Sequence, residues 1–202
     1  MATEPVEVAG PAGNERLTAI AAVVLIVLLA VEGVTILAIR PLLSWHVFVG
    51  MLLIPPVALK LASTGYRFWR YYSGSPAYVR RGPPHVLLRL LAPLVVVSTL
   101  TLFGTGVTLI ALGPRYGLIF GLHKASFVVW LVATGAHVLA HVQRLPSLAF
   151  GAGRGAGRRL ALVTATLFAG GALAVSTLSL ATPWIHLVDR DDAASAHLNV
   201  LM

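Results

Sequence analysis

The stretch FGLHKASFVVWLVATGAHVLAHV, residues 120–142, decides the fold, because this apolar run is long enough to cross a lipid bilayer. Similar runs elsewhere in the chain bring the expected helices to five, at about 17–39, 44–64, 86–112, 122–143 and 159–182. Backbone N–H and C=O groups cannot stay unpaired in lipid, so each run must form a helix. The sequence therefore predicts an all-α protein, a single membrane domain that is a multi-pass bundle of five transmembrane helices.

The composition of the chain supports this fold class. Of its 202 residues, 57% are hydrophobic and only 11% are charged, unlike a soluble domain of this length. The chain contains no cysteine, which excludes disulfides, thiolate-bound iron–sulfur clusters and covalent haem attachment through a C-x-x-C-H motif. Any bound metal must therefore depend mainly on histidine.

The basic residues predict the orientation in the membrane. The connections after the second and fourth runs are rich in arginine, whereas the opposite connections contain only Arg40, Arg115 and Lys124. By the positive-inside rule, the N-terminus is cytoplasmic and the C-terminus lies outside. We expect a bacterial cytoplasmic (inner) membrane protein. This topology and contact with anionic lipid account for the net charge of +8, so no nucleic-acid partner is expected.

Three histidines in the fourth run suggest a cofactor. His123 and His137 are 14 residues apart, which on an ideal helix is about 21 Å along the axis and about 40° around it. One helix needs this spacing to give an axial ligand to each of two haems stacked across a bilayer. His141 lies one turn further inward on the same face, so His137 and His141 cannot bind opposite faces of one iron.

A second axial ligand must come from another helix at the same depth. His46, near the outer end of the second run, should be level with His123. Because ionisable groups inside a membrane are usually functional, we expect these two histidines to bind a haem b near the outer surface. Gly50, Gly104 and Gly106 would leave room for the flat macrocycle, although small residues also allow close helix packing.

The segments WHVFVG (45–50), LHKASFVVW (122–130) and AHVLAHV (136–142) resemble a family, the b-type membrane cytochromes. These include cytochrome b561-like proteins and the cytochrome b anchor subunits of respiratory hydrogenases and formate dehydrogenases. The resemblance covers about residues 15–145 and implies that four of the five helices form a haem-binding core. It pairs His46 with His123, and His137 with a histidine near the start of the first helix. Arg16 and Leu17 stand there instead.

The second, inner haem therefore has several candidate ligands. His137 could use His85 if the loop before the third run folds inward, or His141 could replace His137. Lys60 follows His46 by 14 residues and should reach the depth of His137. Its ammonium could contact an inner haem or a propionate, or extend to the cytoplasmic interface. The sequence predicts one haem b or two.

Glu32 is the one acidic residue inside an apolar run. A lone carboxylate is costly at that depth. Two interpretations stay open: proton transfer beside a quinone site, or a structural glutamate that is protonated or hydrogen-bonded.

Together these features predict a membrane cytochrome that passes electrons between the quinone pool of a respiratory chain and a partner redox protein. It would be an electron-transfer subunit of an oxidoreductase complex rather than a stand-alone enzyme, with the redox chemistry supplied by the cofactor. The resemblance implies a peripheral or periplasmic oxidoreductase subunit as partner. The alternatives are a haem-free transporter in which the histidines and Glu32 relay protons, and a non-redox membrane anchor.

Overall fold

The computed structural model describes residues 10–80, 82, 86–114, 117–141, 149 and 155–190, and the described residues are helical with short connections. The helices are α1 (Pro11–Leu37), α2 (Ile39–Tyr72), α3 (Pro76–Val79), α4 (Val86–Leu112), α5 (Gly117–His141) and α6 (Ala156–Thr177). A 3₁₀ turn, Leu178–Ala181, joins α6 to a last helical segment, residues 182–190.

Five of these helical stretches are long and apolar enough to cross a membrane. They are α1, α2, most of α4, α5, and α6 together with the segment that follows it. Within the described ranges no residue belongs to a strand. The predicted all-α, multi-pass bundle is therefore confirmed.

The helix boundaries differ from the apolar runs, above all at α2. This helix continues to Tyr72, well past the end expected near residue 64. A helix satisfies its own backbone in water as well as in lipid, so it does not have to end where the apolar residues end. At its other end only Ala38 separates α2 from α1. The first two membrane helices thus form a tight helical hairpin.

The five membrane helices pack as two groups. α2 packs extensively against both α1 and α6, and Leu25, Val49 and Leu53 form one buried cluster at the α1–α2 contact. α4 and α5 form the second group, and α4 makes the smaller contact with α2. Among the described helices, α5 makes its extensive backbone contact with α4. α2 and α5 share no such extensive contact, although each carries a predicted haem ligand.

The contact between α2 and α6 depends on a glycine opposite a double proline. Pro55 and Pro56 lie inside α2, and Pro56 has no N–H to donate to the carbonyl of Leu52 one turn earlier. Gly170 of α6 approaches this carbonyl so closely that a Cβ atom would overlap the oxygen. Only glycine at position 170 leaves room for this close approach of α6 to α2.

Candidate functional site

The structure brings His46 into contact with Glu32 across the hairpin. The Nδ1 atom of His46 lies 2.9 Å from Oε1 of Glu32 and 3.1 Å from Oγ1 of Thr35. Thr35 is 3% exposed, and its hydroxyl donates to the backbone carbonyl of Glu32 at 2.6 Å. The hydroxyl oxygen is thus left to accept from His46. With a proton on Nδ1, the imidazole donates to both oxygens and keeps a lone pair on Nε2.

His123 has a similar arrangement on the other helix group. Its Nδ1 atom lies 3.2 Å from the backbone carbonyl oxygen of Leu102 and 3.0 Å from Oγ1 of Thr105. A carbonyl oxygen only accepts, so this hydrogen bond requires the proton on Nδ1 and leaves the Nε2 lone pair available. Thr105 donates its own hydroxyl proton to the carbonyl of Thr101 at 2.7 Å and can therefore accept as well.

His46 belongs to the group of α1, α2 and α6, and His123 belongs to the group of α4 and α5. Their rings are close enough for the charges of the protonated forms to repel each other. Within the part of the chain that the structure describes, neither Nε2 atom has a hydrogen bond. We call Glu32, Thr35, His46, Thr105 and His123 the outer site, after the side of the membrane that the sequence predicts for it. It presents two imidazoles whose Nδ1 atoms are occupied and whose Nε2 atoms are available.

The three predicted glycines have different neighbours. A Cβ atom on Gly106 would lie 3.2 Å from Cε1 of His123, so this glycine lets the ring rest against α4. A Cβ on Gly50 would lie 3.6 Å from Oε1 of Glu32. Gly104 is exposed and has nothing within 4 Å of a Cβ. Residues two apart lie on different faces of a helix, so Gly104 and Gly106 face different sides of α4.

The two inner histidines of α5 lie side by side. The ring centroids of His137 and His141 are 4.7 Å apart, with their planes at 31°. The Nδ1 atom of His141 lies 3.0 Å from the backbone carbonyl of His137 and must donate to it. The Nδ1 atom of His137 is buried and has no hydrogen-bond partner among the described residues.

Lys60 lies close enough to His137 for their charges to interact. Its ammonium donates to the backbone carbonyl of Thr18 in α1 at 3.1 Å. Asn14 and Thr18 hydrogen-bond to Ser63 in the same region, at 2.9 and 3.0 Å. Asn14 and Thr18 lie on either side of Arg16 and Leu17, the positions where the family resemblance would require a histidine. His85, the other candidate ligand, lies outside the described residues.

Sequence reasoning missed the partners of the two Nδ1 atoms. Thr35 and Thr105 are buried hydroxyls in apolar helices, and Leu102 contributes only its backbone. Thr35 follows Glu32 by one turn, which is a detectable signal. No property of the Leu102 side chain could have indicated the role of its carbonyl.

Two further observations limit the kinds of site present. Among the described residues, no group of three or more His, Cys, Asp or Glu side chains could hold a metal ion. A haem needs only two protein ligands, since the porphyrin supplies four nitrogens. An open cavity elsewhere contains none of the histidines; it is lined by Arg40, Pro41, Leu43, Ser44, Ile185, Val188 and Asp189.

No protein-family model, curated protein or solved structure matches this chain. The fold defines the class as a multi-pass helical membrane protein.

Proposed function

We propose that this protein is a membrane b-type cytochrome, in which His46 and His123 hold one haem b and electrons pass between the quinone pool and a partner redox protein. One observation carries the proposal. Two imidazoles from different helix groups each engage Nδ1 in a hydrogen bond and leave Nε2 available.

This pattern is the one that metal-bound histidines use. A ligating imidazole generally donates its second N–H to a carboxylate or backbone carbonyl, which fixes the tautomer and the ring orientation. Glu32 has this position beside His46, and the carbonyl of Leu102 has it beside His123.

The ligand set favours electron transfer over oxygen chemistry. When bound, a b-type haem supplies one-electron chemistry, and two axial histidines leave no open position on the iron for oxygen or substrate. The chain itself contributes ligand orientation and an apolar environment of membrane helices. Both help to set the reduction potential.

A second haem at the inner level would use His137. The groups that the structure brings to it are Lys60 and His141, and His141 shares its helix and cannot reach the opposite face of the same iron. The proposal is therefore one haem at the outer site as the minimum, with an inner haem as an addition to be counted by experiment.

The partners follow from the resemblance rather than from the site. Electrons would enter or leave through a peripheral or periplasmic oxidoreductase subunit and through a membrane quinone, in the bacterial cytoplasmic membrane. Five apolar helices and the arginine-rich connections on one side support a membrane location for this exchange.

A haem-free proton relay is the second candidate, because Glu32, Thr35 and His46 form one connected group of polar side chains. Such a relay would transfer protons through the free Nε2 atoms and would bind no chromophore. The two candidates therefore differ in their absorption spectra.

The test is the spectrum of the full-length protein purified from a haem-replete host and reduced with dithionite. A sharp b-type α band is expected, with at least one haem per chain by pyridine haemochrome assay. His46→Ala and His123→Ala should each lose the outer haem, whereas His186→Ala, an exposed histidine after α6, should retain it. A purified wild type without the band, or a double variant of His46 and His123 that keeps the full haem content, would refute the proposal.

A further inference from the structure

We infer that Glu32 is a positioning residue for the outer haem: its carboxylate holds His46 through Nδ1, strengthens that axial ligand and lowers the reduction potential of the iron. The inference rests on the proposed function, because it assigns Glu32 a role towards the haem that His46 and His123 would hold. This role differs from both roles considered for Glu32 from the sequence, which were proton transfer beside a quinone site and a purely structural glutamate.

The contacts of Glu32 fix its carboxylate beside the imidazole. Oε1 lies 2.9 Å from Nδ1 of His46, and Oε2 lies 3.3 Å from the hydroxyl of Thr35. The Glu32 side chain is 12% exposed and that of His46 is 23% exposed. Gly50, one turn after His46, leaves space for Oε1 where a Cβ would lie 3.6 Å away. The carboxylate is therefore held within the hairpin between α1 and α2 by the hydrogen bond from His46.

No basic side chain competes for this carboxylate. Within the described residues, His46 is the one ion-pair partner of Glu32. A carboxylate surrounded by apolar helices is costly unless it is paired and hydrogen-bonded. The hydrogen bond from His46 offsets that cost and holds the negative charge beside the ring.

The two axial ligands consequently differ in their second partners. His46 faces a carboxylate, whereas His123 faces the neutral oxygens of Leu102 and Thr105. A carboxylate accepts the Nδ1 proton more strongly than a neutral oxygen does, so it raises the basicity of the ligand. A stronger donor favours ferric over ferrous iron. The negative charge itself disfavours the added electron, and it does so more effectively in a low-dielectric environment than in water.

The experiment compares midpoint potentials of the haem-loaded, full-length protein. Glu32→Gln keeps the size of the side chain and an oxygen acceptor but removes the charge. Thr35→Val removes the hydroxyl and keeps the carboxylate, and Thr105→Val removes the matching hydroxyl beside His123. We expect Glu32→Gln to retain haem and to show a clearly more positive potential, accompanied by a shift in the low-spin EPR signal of the oxidised form. The two threonine variants should show smaller shifts.

A wild-type potential in Glu32→Gln, or equal shifts in Glu32→Gln and Thr105→Val, would overturn the inference. If Glu32→Gln fails to hold haem, the Glu32→Asp variant shows whether the negative charge is what the site requires, because aspartate keeps the charge. Retained haem at a potential near that of the wild type then supports the role of the carboxylate, and equal loss of haem in both variants rejects it. Failure of the proposed function would be seen earlier and separately, as a wild-type protein without a b-type spectrum.

Discussion

The Nδ1 atom of His123 in α5 lies 3.2 Å from the backbone carbonyl oxygen of Leu102 in α4. This contact assigns the proton to one ring nitrogen without any reference to a cofactor, because the carbonyl can only accept. The other nitrogen is left as a Lewis base inside an apolar bundle. Helices α4 and α5 therefore present a ligand that is already oriented, and this pair contacts the group of α1, α2 and α6 less extensively than α4 and α5 contact each other.

Gly106 should be required for that orientation. A Cβ on Gly106 would lie 3.2 Å from Cε1 of His123, and the larger side chain of valine would displace the ring. We expect Gly106→Val to lose most of the outer haem, measured as haem per chain by pyridine haemochrome assay.

Gly104→Val is the matched control, since nothing lies within 4 Å of a Cβ at that position of the same helix. It should keep the haem content of the wild type. Equal loss in both variants would mean that Gly104 also borders the macrocycle, as the sequence predicts, and that Gly106 has no special role.

The sequence predicted those features of the fold that depend on length and hydropathy. Five apolar runs specify five membrane helices, because lipid offers no alternative partner for the backbone. It could not predict that α2 would continue to Tyr72, since helix formation is not confined to the membrane. The contact of His46 with Glu32 was not predicted either. It depends on the orientation of α1 relative to α2, which the short connection at Ala38 determines.

The sequence could predict only those features of the candidate site that depend on spacing along a single helix. Helical periodicity places His123 and His137 on one face of α5, and the spacing rule applies to side chains on any single helix. The partners of the Nδ1 atoms come from a neighbouring helix and include a backbone carbonyl, which has no signature in the sequence. The matched depth of His46 and His123, the haem and the membrane orientation stay predictions.

The helix contact at Gly170 should be sensitive to a single methyl group. Alanine there would place Cβ against the carbonyl oxygen of Leu52, so α2 and α6 would have to separate. We expect Gly170→Ala to lower the free energy of unfolding by about 1–3 kcal/mol, the usual range for overpacking. Thermal unfolding in detergent, followed by circular dichroism, measures the effect.

Gly171→Ala provides the comparison one residue further along α6. Its Cβ would meet only Cδ1 of Leu52, at the ordinary contact distance of 3.9 Å. Alanine also favours a helix over glycine by roughly 1 kcal/mol, so this variant should be as stable as the wild type or more stable. A Gly170→Ala protein that unfolds at the same temperature as Gly171→Ala would contradict the proposed close contact.

The outer haem should be independent of the inner histidines. His137 and His141 lie at least about 21 Å along α5 from His123 on an ideal helix. We therefore expect His137→Ala and His141→Ala each to keep at least one haem per chain with the b-type α band. The larger of the two losses of haem relative to the wild type, in His137→Ala or in His141→Ala, then counts any inner haem. Complete loss of haem in either variant, with helix content unchanged, would show that the outer site does not bind haem by itself.

Carbon monoxide should distinguish two protein ligands from one. With Nε2 of both His46 and His123 on the iron, the reduced haem has no free position, so carbon monoxide should leave the wild-type spectrum unchanged. A His46→Gly variant would open a position without a bulky replacement, and we expect its residual haem to bind carbon monoxide. Added imidazole should occupy the vacant position and restore the six-coordinate spectrum, which separates loss of the ligand from loss of the fold. Carbon monoxide binding to the wild type at the level of the variant would exclude bis-histidine ligation, because an iron with two protein ligands has no position to offer.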